Sequence, residues 1–124
     1  TILQGDWSSD VCSSDLVSNF YGNIESVLKD FGLDHLFGAI VESAVVGIRK
    51  PDPAIFRLGV DKLGFPADEI VVVGDSYDKD IVPATRIGCQ TIWLKSIGWS
   101  AYKGNETADI VLSDFTEIKQ VFAL

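Results

Sequence analysis

Ile70-Val71-Val72-Val73 runs without a polar break into Gly74-Asp75-Ser76, and this junction limits the possible folds more than any other stretch of the chain. A strand with one wet face alternates apolar and polar residues. An unbroken apolar run is buried on both faces, as in a parallel sheet covered by helices. Parallel strands cannot be joined by tight hairpins, so helical crossovers must lie between them.

The flanking segments meet that demand. Ile24, Val27, Leu28 and Phe31 share one face of a helix expected over 22–31, with Gly32 as its stop. A short strand is expected near 39–43. Pro51-Asp52-Pro53 opens a helix over 53–63, because proline's missing N–H would be unpaired in a first turn anyway. Beyond the apolar run, a helix is expected over 78–87, shortened or kinked by Pro83 and ended by Gly88. Strands at 91–94 and 109–112 flank a glycine-containing loop, and a last helix over 114–122 takes Ser113 or Asp114 as its cap. Strands alternating with helices imply an α/β fold with a mostly parallel sheet.

The chain has 124 residues, enough for one domain, and 47% of them are hydrophobic, enough for a core. Its net charge of −8 argues against a nucleic-acid partner, whose phosphates need a basic face. A phosphorylated small molecule stays compatible, given a few cations and a metal at its site. No apolar stretch approaches the roughly 18 residues of a membrane span, and the polar, acidic N-terminus has no signal-peptide pattern. Cys12 and Cys89 form no framework of paired spacings, so a reducing, cytoplasmic setting is expected. Oligomeric state is not encoded in any recognisable pattern.

In open α/β sheets, ligands bind beyond the carboxyl ends of the strands. Three polar clusters fall there: Ser18-Asn19, Arg49-Lys50, and Gly74-Asp75-Ser76 with Asp78 and Asp80. Carboxylates just after a buried strand are costly unless they meet a cation or a donor. Asp75 and Asp80 therefore suit Mg²⁺, a hard cation that takes one or two carboxylates, waters and a substrate phosphate; capping the next helix is the competing reading. Gly74 permits a sharp turn there. Lys50, before a proline-initiated helix, can point its ammonium into the same crevice or stay a solvated charge. Ser18-Asn19 offers a hydroxyl, a carboxamide and N–H groups to phosphate oxygens, or a helix cap. Of the other residues, His35 reads as packing or surface, Cys89 as a small buried hydrophobe and Trp93 as core. Trp99 and Tyr102 read as loop packing and Asp109 as a turn residue.

VSNFYGN, GIRKPDPAIF and VVVGDSYDKDIVPATRIGCQTIWL resemble, in order, the second, third and fourth motifs of the haloacid dehalogenase-like hydrolases. ADIVLSDFTEI is similar to that family's closing strand and helix. The resemblance implies a Rossmann-like three-layer core and assigns roles. Ser18, helped by Asn19, would bind the transferring phosphoryl group. Lys50 would be catalytic, holding nucleophile and phosphate together. Asp75 would coordinate Mg²⁺ directly, and Asp80 would support the metal directly or through water. The Gly-Asp pair resembles the phosphatase and phosphomutase branch rather than the metal-free dehalogenases. A receiver-like signalling domain fits poorly, since its acidic pair precedes its lysine and here the order is reversed.

Residues 6–16 stand apart. DWSSDVCSSDL holds four serines and three aspartates in eleven residues without periodicity, and it resembles one reading frame of a widely used DNA-sequencing adapter. Residues 1–16 are therefore expected to be non-native, leaving 17–124 as a partial core domain. The family's first motif, DxDxT, supplies the nucleophile and belongs upstream of Ser18, where no natural copy is found. The fold is thus expected to be incomplete, lacking the central nucleophile strand and the cap that selects substrate. The implied function is a fragment of a Mg²⁺-dependent phosphomonoester hydrolase, inactive as given, with exposed strand edges and marginal stability. A non-catalytic phosphate-binding module is the alternative.

Overall fold

The computed structural model describes residues 2–4, 14–95, 108–117 and 121. Six strands form one sheet: β1 (Ile2–Gln4), β2 (Ser14–Ser18), β3 (Ala39–Glu42), β4 (Ile70–Gly74), β5 (Gln90–Leu94) and β6 (Ile110–Leu112), in the order β3-β2-β1-β4-β5-β6. β2 pairs with β3 in parallel, as do β4 with β5 and β5 with β6. β1 runs antiparallel to both β2 and β4. Five strands therefore share one direction, and their carboxyl ends lie along one edge of the sheet. The expected α/β fold with a mostly parallel sheet is present.

The apolar run fills β4 and is buried throughout, from Ile70 to Val73. Side chains alternate across a strand. Ile70 and Val72 join Val17, Val41, Ile55, Phe56, Ala84 and Cys89 in one core cluster, while Val71 and Val73 join Ile92 and Leu112 in another. Helix α3 (Pro53–Leu63), which follows α1 (Ile24–Asp30) and the one-turn α2 (Ser43–Val46), supplies Ile55 and Phe56 to the first cluster. Its bounds are those the proline and glycine signals predict. Asp52 caps its start by accepting a hydrogen bond from the Ala54 N–H at 3.0 Å, and Gly64 ends it at φ 75°, a left-handed conformation that favours glycine. Cys89 and Trp93 are buried as expected, and His35 is exposed.

Several expectations are corrected. Helix α1 (Ile24–Asp30) buries Leu28 alone, and Phe31 is 74% exposed. The amphipathic pattern is there, but among the described residues no element covers its outer part. The helix expected over 78–87 divides into a π-turn, Tyr77–Ile81, and α4 (Val82–Arg86). Pro83 has no N–H for an i→i−4 bond, so it starts a new helix rather than continuing the first turn. Of the helix expected over 114–122, the described stretch Phe115–Glu117 is a 3₁₀ turn, where Asp114 accepts from the Thr116 N–H and Glu117 accepts from the Asp114 N–H. Trp99 and Tyr102 lie outside the described residues.

The strand edges expected to be bare are also paired. β2 begins at Ser14, not Val17, and β1 lies between β2 and β4, with Ile2 opposite both Asp15 and Val72. Two flanking edges of unsatisfied N–H and C=O groups attract any extended segment that reaches them. The strand that does so here runs against its neighbours.

Candidate functional site

Because β2 and β4 share a direction, Ser18 and Asp75 emerge at the same edge of the sheet. They border an open cleft of about 480 Å³ lined by Ser18, Asn19, Arg49, Lys50, Asp75, Ser76, Asp78, Lys79 and Asp80. All five residues singled out from the sequence, Ser18, Asn19, Lys50, Asp75 and Asp80, meet there.

The loop before α3 is tied to the end of β2 by one side chain. Asn19 Oδ1 accepts from the Lys50 backbone N–H at 2.8 Å, and Asn19 Nδ2 donates to the Lys50 carbonyl at 3.1 Å. The carboxamide thus reproduces a rung of a strand ladder across 31 residues of chain. Within this loop the Lys50–Pro51 peptide bond is cis. Asn19 thereby holds Lys50 in place, and both Ser18 and Asn19 line the cleft.

Lys50 and Asp80 form the electrostatic centre. Lys50 Nζ lies 2.6 Å from Asp80 Oδ1, with both side chains largely buried. A pair so placed is held by its supporting hydrogen bonds as much as by charge. Asp80 Oδ2 accepts from the Ser76 N–H at 3.2 Å. The lysine ammonium also lies 6.0 Å from the centroid of Phe56, so its stem runs over the aromatic floor of the core.

Gly74 has a different use from the sharp turn expected of it. A Cβ placed there would clash with the Asp80 Cβ, so the absent side chain is what lets the π-turn fold back onto β4. That turn carries Asp80 inward while Asp75 and Asp78 stay exposed. The Asp75 carbonyl accepts from the Trp93 indole N–H at 3.1 Å, which pins the strand end to β5.

The donor chemistry fits a hard divalent cation in part. Asp75 and Asp78 present exposed carboxylates to the cleft, the oxygen type Mg²⁺ prefers. Both oxygens of Asp80 are engaged by Lys50 and Ser76, which suits support of a site better than direct ligation. Among the described residues no group of three His, Cys, Asp or Glu side chains is arranged to hold a metal.

Two contributors were not given roles from the sequence. Arg49 lines the cleft with an exposed side chain. Glu42, at the end of β3 and 5% exposed, accepts from the Gly22 and Ile24 N–H groups at 3.1 and 2.9 Å, fixing the start of α1 beside the cleft. A glutamate directly after the apolar Ala39–Val41 stretch was the available signal, for the same reason that drew attention to Asp75.

A profile of the haloacid dehalogenase-like hydrolases matches residues 13–88. The chain is 41% identical over 73 residues to haloacid dehalogenase-like hydrolase domain-containing protein 3 of Danio rerio, covering 59% of this chain and 30% of that protein. It is 32% identical over 87 residues to a phosphoserine phosphatase of Thermus thermophilus, covering 70% of this chain and 34% of that one. Among solved structures, a phosphatase from Thermococcus onnurineus superposes with a TM-score of 0.78 at 27% identity, over 88% of this chain and 49% of that structure. The chain thus spans about a third of these curated relatives.

Proposed function

The chain belongs to the haloacid dehalogenase-like hydrolases, and from that premise we propose that it is the phosphate- and metal-binding part of a Mg²⁺-dependent phosphomonoester hydrolase. The observation that carries the reading is the gathering of Ser18, Lys50, Asp75 and Asp80 around one cleft at the carboxyl edge of the sheet. Phosphatases among the relatives, acting on phosphorylated small molecules, support it. Bound at Asp75, Mg²⁺ would neutralise charge on the phosphoryl oxygens. Ser18 would donate its hydroxyl hydrogen to one of those oxygens. Lys50, fixed at its backbone by Asn19 and at its ammonium by Asp80, would offset their remaining charge. Asp80 would serve the metal through its hold on Lys50 and through water. In a longer protein, an aspartate carboxylate would attack phosphorus, release the alcohol and leave an aspartyl-phosphate for water to hydrolyse.

This chain would not complete that cycle. Ile2-Leu3-Gln4, the strand at the centre of the sheet, contains no carboxylate, and binding groups do not replace an oriented nucleophile. Residues 1–16 belong, on this proposal, outside the native domain of 17–124. Asp15, buried in β2 with Oδ2 lacking a hydrogen-bond partner among the described residues, supports that division, because a fold-adapted strand seldom buries an orphaned carboxylate. The free thiol of Cys89 is in keeping with a reducing cytoplasm, and no described helix is long and apolar enough to cross a membrane.

The test is a titration of the purified chain with inorganic phosphate, with and without Mg²⁺, alongside an assay on a generic aryl phosphate. Expected are Mg²⁺-strengthened phosphate binding, its loss in Asp75→Asn, and no turnover. Turnover by this chain sinks the inactive-fragment reading. Phosphate binding indifferent to Mg²⁺ favours the non-catalytic module. Sequencing the source locus upstream of the Val17 codon separates the domain proposal: a continuous frame reaching DxDxT supports it, and a natural codon run for DWSSDVCSSDL overturns it.

A further inference from the structure

The cleft holds more cationic capacity than a phosphoryl group engages. Lys50 is already matched by Asp80. Arg49 lines the same cleft, exposed, and makes no ion pair among the described residues. Acidic partners are not scarce, with 18 Asp and Glu against 10 Lys and Arg in the sequence, yet none of the described ones takes this guanidinium.

Its placement is rigid where it matters. The Arg49 carbonyl accepts from the Asp52 N–H at 3.0 Å, and both backbone groups of the next residue are clamped by Asn19. The Arg49 backbone is thereby registered against the Ser18 end of β2. Only side-chain rotamers remain to be ordered on binding, which limits the entropic cost. A guanidinium is a planar fork whose paired N–H groups match the two oxygens of a carboxylate.

Resting on the phosphate-site reading above, we infer that the cleft takes phosphomonoesters that also carry a carboxylate, with Arg49 gripping the carboxylate while Ser18 and Lys50 face the phosphoryl group. A divalent cation at the exposed acids leaves Arg49 and Lys79 as the exposed cations of the cleft, and of the two only Arg49 carries the planar fork that matches a carboxylate.

The experiment is an NMR titration of the isotope-labelled 124-residue chain in Mg²⁺ with three probes: inorganic phosphate, ethyl phosphate and phosphoglycolate. The last two differ at the carboxylate. Phosphoglycolate is expected to bind about tenfold or more tighter than ethyl phosphate, the scale of a charge-assisted hydrogen bond. Arg49→Gln should erase that preference, bringing phosphoglycolate to the affinity of ethyl phosphate, and Arg49→Lys should restore only part, since a point charge lacks the fork. Equal affinity for the two esters in the unaltered chain overturns the inference, as does a preference that survives Arg49→Gln. Loss of inorganic phosphate binding in Arg49→Gln overturns it differently, by making Arg49 a phosphoryl ligand. If inorganic phosphate fails to bind the unaltered chain, the phosphate-site reading falls and this inference falls with it.

Discussion

β4 and β2 flank the same central position of the sheet, but they are held there by different physics. In β4 every residue from Ile70 to Val73 is buried, each side chain enters a core cluster, and the strand end turns into a loop whose carboxylate meets a lysine. In β2, Val17 is core, but Asp15 two residues earlier is equally enclosed, at 3% exposed, with one carboxylate oxygen unpaired among the described residues. Local pattern and tertiary surroundings agree around β4 and disagree at the start of β2. A segment whose levels agree specifies its place; one whose levels conflict is carried there by its neighbours' open edges.

That contrast can be broken by measurement. Phe56→Ala should cost about 3–5 kcal/mol in urea unfolding, because Phe56 is 1% exposed at the centre of the cluster shared by β4 and α3. A loss below 1 kcal/mol would mean the β4 side is no better specified than the β2 side. Gly74→Ala should cost about 1–3 kcal/mol by overpacking against Asp80, and should weaken phosphate binding because Asp80 carries Lys50. Wild-type binding in that variant would separate the glycine from the site.

On the other side the sign reverses. Asp15→Leu should stabilise the chain by roughly 1–3 kcal/mol, the penalty of an unsatisfied buried acceptor; destabilisation would show that the bond from the Ala39 N–H to Asp15 Oδ1, 2.9 Å long, outweighs it. The smallest effect is a pH dependence. Burial raises the Asp15 carboxyl above its ordinary 3.8, against the weaker opposing pull of the Ala39 N–H and the Lys62 charge. The folded state therefore holds the proton more tightly than the unfolded one. Stability from this group is full below 3.8 and falls as pH rises through the raised value. Asp15→Asn should flatten that slope, and an unchanged slope would assign it to other carboxylates.

Much of the site was legible because its residues obey local rules. Proline at the start of α3 and glycine at its end marked the helix by backbone geometry alone. Asp75 and Asp80 stood out because carboxylates after a buried strand demand a partner, and Lys50 because it precedes a proline-initiated helix. What was illegible is contact between distant segments. That the carboxamide of Asn19, which also lines the cleft, bonds both backbone groups of Lys50 shows only in the folded chain. Phe31 looked like core and lies open, since periodicity identifies an apolar face without saying whether anything covers it.

Residue order alone determined the α/β alternation, the double burial of β4 and the three polar clusters at strand ends, since periodicity, capping and chain stiffness act within a few residues. The reversed β1, the π-turn that folds Asp80 back over Gly74 and the matching of Lys50 to Asp80 were decided in three dimensions. Strand edges, close approaches and ion pairs join groups far apart in the chain, and their energies exist only once the rest of the fold has brought them together.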